Sequence, residues 1–234
     1  MGRRLQRFLA LFDFLSISLL FLYGFFYGVI LNSRFLLYQY TSQFNVAAKL
    51  KMDRQQLETI TRGIVRLMKG TGDETYFPII VKGQEVSFLN AKELTHLEEI
   101  AGILSGVNLV MLVLLVLAVP VTVVLMRRAT ACNIAIGTLE GFGVLGILGA
   151  GIGLTAVLDL DRWIDLFHEL FFTGYNWVLN PATDRLIYLC PPKLFQNALI
   201  WIGVFEGSYC AVVIGICIRT LRKRKPESKK EFTM

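Results

Sequence analysis

Val107-Asn-Leu-Val-Met-Leu-Val-Leu-Leu-Val-Leu-Ala-Val-Pro-Val-Thr-Val-Val-Leu-Met126 contains no charged side chain. Twenty helical residues rise about 30 Å, which matches the hydrocarbon thickness of a bilayer. Soluble domains do not carry such a run, so this stretch decides the class of fold. Three further apolar runs flank it, at 8–31, 131–158 and 197–218. Hydrophobic residues make up 54% of the 234-residue chain and charged residues 18%, against roughly 25% charged in a soluble domain. Mean hydropathy is +0.55. These values exclude a disordered chain, a disulfide scaffold and a simple soluble domain. The net charge of +6 could suggest nucleic acid, but the basic residues gather beside the apolar runs, and no nucleic-acid motif is present.

The first run follows Arg3, Arg4 and Arg7, as in a signal peptide. Its length exceeds a signal-peptide core, and no small-residue cleavage site follows, so it reads as a retained span. Four spans place both termini on one side. The N-terminus, the turn at Arg127–Arg128 and the tail at 219–234 hold half of the 24 basic residues. The only acids among these flanks are Glu227 and Glu231. The positive-inside rule therefore predicts cytoplasmic termini and two outer loops, 32–106 and 159–196. The expected fold is an all-α membrane protein with four transmembrane helices and a small extracellular α/β cap built from the two outer loops.

Inside the spans, Gly137/Gly141 and Gly149/Gly153 have the small-xxx-small spacing that permits close helix approach. Packing within the four-helix bundle and dimerisation both use this spacing. Asp13, Glu140 and Glu206 are intramembrane acids, which can mark an ion pathway or serve as hydrogen-bonding glue. Of the four cysteines, only Cys190 is placed outside, so no disulfide can join the two loops.

The first loop carries signals of regular structure. Asp53 and Gln56 form a capping box ahead of Leu57, Ile60, Ile64 and Leu67, predicting an amphipathic helix that ends at Gly70. That helix could lie on the membrane or cover the rest of the loop. Tyr76–Val81 and Val86–Leu89 read as two strands joined at Lys82–Gly83, with Pro78 confining the first to an edge. Asn90 and Glu93 form a second capping box, from which a helix runs into the second span. In the second loop, Trp163, Leu166, Phe167 and Leu170 share one helical face and predict an interfacial helix ending at Gly174.

The chain has two histidines, His96 and His168. Both fall on these helices, at matching depth beside the membrane. Histidine moves protons near neutral pH, so the pair is a candidate for acid–base catalysis. Glu93 and Glu99 flank His96, and Asp161 and Asp165 lie near His168 in helical angle. Zinc is a rival role, with Glu99 or Asp165 as third ligand, although no HExxH or CxxC spacing is present. Two prolines follow Cys190 and no charge stands beside it to activate a thiolate.

The segment Phe88-Leu-Asn-Ala-Lys-Glu-Leu-Thr-His-Leu-Glu-Glu-Ile100 resembles the first outer-loop motif of the lipoprotein intramolecular transacylases (Lit) of Gram-positive bacteria. In that motif a Glu precedes an essential His by three residues and an acid follows it by three. Glu93, His96 and Glu99 match, although the family more often has Asp at the last position. The stretch from Phe167 to Phe195 resembles the second motif through His168, Phe172, Trp177, Asp184, Leu186, Ile187, Pro191 or Pro192, and Phe195. Cys190 and the doubled proline depart from it. The four-span plan also agrees, so the resemblance covers nearly the whole length.

The resemblance implies a bacterial plasma-membrane enzyme. Its partners would be a diacylglyceryl-lipoprotein substrate and the surrounding membrane lipid. Such an enzyme moves the sn-2 acyl chain of that lipoprotein to the α-amino group of its own N-terminal cysteine, giving an N-acyl S-monoacylglyceryl (lyso-form) product. It implies no cofactor and no separate acyl donor. The site residues it implies are His96 and His168 as catalytic, with Glu93, Glu99, Asp165, Asn176, Trp177 and Asp184 in support. One assignment makes His96 the base, oriented by Glu93 or Glu99, and His168 the donor. Two other classes are consistent with the residues alone: a non-catalytic assembly or sensor protein, and a small transporter using the intramembrane acids.

Overall fold

The computed structural model describes residues 1–72, 75–81 and 83–223. It is mostly helical, with one small sheet. Four helices are long and apolar enough to cross a membrane: α1 (Arg3–Ile30), α5 (Ala91–Arg128), α6 (Ala131–Leu158) and α9 (Pro192–Arg222). Between α1 and α5 lie α2 (Ser33–Ser42), α3 (Val46–Leu50), α4 (Arg54–Met68), β1 (Pro78–Val81) and β2 (Gln84–Ser87). Between α6 and α9 lie α7 (Leu160–Phe171) and α8 (Leu186–Leu189). The chain forms two compact units.

One unit contains Met1–Tyr23, Met111–Val157 and the described part of Trp201–Met234. Small residues and a few buried polar groups hold it together. A Cβ on Gly137 would come within 2.2 Å of the Arg7 carbonyl oxygen, and one on Gly141 within 2.9 Å of the Phe14 ring. This half of the glycine stripe lets α6 lie against α1. Gly149 and Gly153 have nothing within 4 Å of an added Cβ. Gln6 is buried and accepts hydrogen bonds from the Thr130 backbone N–H (3.1 Å) and the Asn133 side-chain amide (2.8 Å). Thr122 donates to Asp13 at 2.8 Å, and the Cys210 thiol donates to Glu206. Asp13 thus accepts from another helix and Glu206 from its own, while Glu140 is exposed. Tyr209 stacks on Phe14 and on Phe21.

The other unit contains Gly24–Val110 and Leu158–Ile200. Its core forms around α4, whose Asp53–Gln56 capping box is present with both reciprocal bonds. Leu57, Ile60, Ile64 and Leu67 are buried against Phe77, Phe88, Leu97 and Leu186. The apolar face of α4 therefore covers the loop core. Gly63 permits this packing, since a Cβ there would meet the Phe77 ring at 2.7 Å. The helix ends at Met68, two residues before Gly70, which takes φ +64°.

The hairpin pairs Pro78 with Ser87 and Val81 with Gln84, antiparallel. The first strand is two residues shorter than expected, and the second starts and ends two residues earlier. Phe88 lies just past the strand and still donates its N–H to the Phe77 carbonyl at 2.6 Å, and both Phe88 and Leu89 are buried in the core. Pro78 tolerates the strand because both members of a two-stranded sheet are edges. Gly83, with φ +81°, belongs to the turn, whereas Lys82 lies outside the described residues, as does most of the basic tail.

α7 ends at Phe171, before Gly174, because Phe172 turns to an extended conformation. It buries none of its residues, and Leu166, Phe167 and Leu170 are exposed. α2, α3 and α8 are short helices that no sequence signal had marked. α2 carries an Asn32 N-cap, and its Gln39 accepts a hydrogen bond from Asn197 at 3.0 Å. Asn197 itself lies one turn and more inside α9, which starts at Pro192.

Candidate active site

The site lies within the second unit. α5 supplies His96 through a helix of 38 residues, which rises about 57 Å, nearly twice the hydrocarbon thickness. Lys92, Glu93, Glu98 and Glu99 all fall in its first turns, ahead of the apolar run. His96 therefore lies outside the membrane-crossing stretch of α5. α7 supplies His168 close to its C-terminal end.

The two imidazoles come together with ring centroids 5.5 Å apart. Phe172 touches both, at 4.8 Å from His96 and 5.3 Å from His168. Trp177 stacks on His168 at 4.8 Å and 23°. The turn of the backbone at Phe172 matters here, since it brings Phe172 and Trp177 back over the ring. His168 Nδ1 lies 2.7 Å from the Ile164 carbonyl, one helical turn earlier. A carbonyl only accepts, so Nδ1 carries the proton, and Nε2 is the nitrogen left for chemistry.

His96 is 5% exposed. Burial, followed by the charges of His168 and Lys92, pulls its pKa down to about 4. Glu99 Oε2 lies 3.8 Å from His96 Nδ1, too far for a hydrogen bond. Both atoms are buried and lack a hydrogen-bond partner among the described residues. Each such orphan costs about 1–3 kcal/mol.

The remaining candidate residues divide by what they touch. Glu93 is fully buried, and both its oxygens are taken. One accepts from the Asn90 backbone N–H at 2.8 Å and the other from the Leu186 N–H at 2.6 Å. It pins α8 to the start of α5 and is not free to orient His96. Asp184 is 4% exposed and accepts from the Asn180 N–H (2.7 Å), Thr183 (2.9 Å) and the Asn90 amide (3.0 Å). The Asn180 bond first, then those of Thr183 and Asn90 and the nearby Lys92 charge, hold its carboxyl below the usual carboxylate range. Lys92 bridges Asp184 and the Val178 carbonyl. The Ile164 carbonyl, not Asp165, holds His168, and Asp165 is half-buried on α7. Asn176 is half-buried, next to Trp177.

Arg185 was missed by sequence reading. It donates to the carbonyls of Ser87 and Phe88, both at 3.0 Å, and so clamps the second loop onto the first. The only signal for it was its place between Asp184 and Leu186. Cys190 is an exposed free thiol. Among the described residues, no three His, Cys, Asp or Glu side chains gather as metal ligands.

The family model described as "Lipoprotein intramolecular transacylase Lit" matches residues 11–195. The chain belongs to this family. Membership makes it an intramolecular transacylase acting on lipoproteins, and the sensor and transporter readings fall away. Two solved structures of membrane-integral Lit from Bacillus cereus share the fold of this Lit-family chain. One gives a TM-score of 0.74 at 17% identity and covers 95% of this chain and 98% of that one. The other is a variant with one histidine replaced by alanine, with a TM-score of 0.71 at 17% identity and coverage of 94% and 95%. No curated protein matches the chain by sequence.

Proposed function

We propose that this Lit-family enzyme moves the sn-2 acyl chain of a diacylglyceryl-lipoprotein to the α-amino nitrogen of the same lipid-bearing cysteine. His96 acts as base and His168 as donor. The observation that carries this reading is the pairing of the chain's two imidazoles at 5.5 Å, with one kept neutral by its surroundings.

The chemistry needs a neutral amine, a stabilised tetrahedral oxyanion and a proton for the departing alkoxide. His96 accepts the proton lost by the attacking nitrogen. The N–C bond forms, and His168, protonated at Nε2, donates to the oxyanion. The sn-2 C–O bond then breaks, and the proton of His168 passes to the glyceryl oxygen. His96 returns its proton to His168 across the short gap between the rings, so nothing is consumed. Donor and acceptor belong to one molecule, so positioning supplies a large part of the rate. Phe172 and Trp177 keep the rings in place and keep water out. Glu93, Asp184 and Arg185 hold the loop that presents Trp177.

The reading places both termini in the cytoplasm, on the charge of the short flanks. Loops 32–106 and 159–196 and the site then face the extracellular leaflet. The exposed apolar side chains of α7 support contact with that leaflet's interface.

The test is mass spectrometry of a lipoprotein's N-terminal lipopeptide, with and without this protein, in a host that otherwise leaves it diacylated. Fragment ions with the acyl group on nitrogen, a monoacyl glyceryl group and an unchanged total mass are expected. An unrearranged diacyl form in the presence of folded, inserted protein rejects the reaction for that substrate.

A further inference from the structure

We propose that Glu99 is the receptor for the substrate's α-ammonium group, which it holds against Nδ1 of His96. The inference rests on the transacylase reading above and names the part of the substrate that this side of the site recognises.

The geometry points to a cationic donor. Glu99 Oε2 and His96 Nδ1 face each other at 3.8 Å, both buried and both without a hydrogen-bond partner among the described residues. With the ring proton of His96 on Nε2, both atoms are acceptors, and both can lie about 2.9 Å from a single nitrogen, at an angle of about 80°, provided it carries at least two N–H groups. A hydroxyl has one donor and cannot serve both. An ammonium has three donors and the charge that a carboxylate pairs with. The chain's own nearby cation is engaged elsewhere, since Lys92 bonds the Val178 carbonyl and Asp184. The other acid of the motif is also committed, since Glu93 bonds two backbone N–H groups. The side chain of Glu99 is 31% exposed, so its flexible stem can turn to admit the group.

A nitrogen held there delivers its proton directly. One N–H bond breaks, an Nδ1–H bond forms, and the positive charge moves from the amine to the imidazole. Glu99 accepts from the new Nδ1–H, and this first proton passes to water before the attack, so that His96 is free to take the second proton when the N–C bond forms. The same two side chains thus recognise the ammonium and convert it to the nucleophile.

The test uses the full-length protein in bicelles and two unreactive ligands, a lipopeptide with an ether at sn-2 and a free amino terminus and its N-acetylated twin. Wild type is expected to bind the free amine about ten- to hundredfold tighter than the twin, the value of one charge-assisted hydrogen bond. In E99Q the preference is expected to fall to about twofold while the twin binds as before, and E99D is expected to restore part of it. Equal binding of the two ligands by wild type, or an undiminished preference in E99Q, overturns the proposal. So does loss of both ligands by E99Q without recovery in E99D. Conversion of the ester substrate is scored separately. Conversion without amine preference removes only the receptor role of Glu99, and amine preference without conversion removes the transfer reaction.

Discussion

The imidazoles of His96 and His168 lie 5.5 Å apart, centroid to centroid, although 72 positions separate them in the chain, and Phe172 packs against both. Each ring has a different neighbour behind it. His168 donates Nδ1–H to a helix carbonyl, while His96 faces a carboxylate across 3.8 Å. This asymmetry is what lets two identical side chains take different parts in one transfer.

Replacing either histidine by alanine should cut the transfer rate by about 10²–10⁴, the range for a lost acid–base group. The double variant should be little slower than the worse single one, because the pair acts as a unit. Single-turnover rates from lipopeptide mass spectra measure this. A double loss equal to the product of the singles would mean that the rings work independently.

His96 should stay neutral across the physiological range. Its folded pKa of about 4 lies below the ordinary value near 6.5, so the unfolded chain binds the extra proton first as pH falls. The stability this gives is complete above about pH 6.5 and is lost as pH falls through 4. Thermal midpoints recorded from pH 7 to pH 4 should therefore fall less steeply in His96→Gln than in wild type. The charges that face His96 are His168 from α7 and Lys92 and Glu99 from α5, so the comparison keeps those three intact.

The two halves of the α6 glycine stripe should respond oppositely. Gly137→Ala drives a methyl to 2.2 Å from the Arg7 carbonyl and should cost about 1–3 kcal/mol through overpacking. Gly149→Ala meets nothing within 4 Å and should be neutral or slightly stabilising. Thermal unfolding of the solubilised protein distinguishes them, and equal effects would contradict the packing described.

Glu93→Gln should destabilise the second unit by about 1–3 kcal/mol, because the amide offers only one acceptor to two backbone donors. Glu98→Gln, five residues on but exposed, should stay within about 0.5 kcal/mol of wild type. Limited proteolysis within 176–190 should quicken only in the first variant, where α8 loses its anchor. Equal cleavage rates in the two would remove Glu93 from that role.

The four long helices were legible because twenty or more apolar residues have only one stable arrangement in a bilayer. The Asp53–Gln56 and Asn90–Glu93 capping boxes were legible because a cap is a local bond between residues three apart. Local pattern also brought both histidines to helices beside the membrane. It did not show that they face each other, since α5 and α7 meet only once Arg185, Asp184 and Glu93 join the two loops. Glu93 and Glu99 stand at equal spacing from His96 and look equivalent in sequence. Burial and partners alone separate them, giving Glu93 two backbone donors and leaving Glu99 Oε2 with none among the described residues. The short helices α2, α3 and α8 escaped notice because a helix of four to ten residues carries too little periodicity to stand out, and packing against α4 and its core stabilises it. What the amino-acid sequence determined by itself was the class, the spans and the two candidate rings, all set by hydrophobicity and local capping. What only the tertiary structure decided was which groups touch those rings, because that depends on bonds between residues about ninety positions apart.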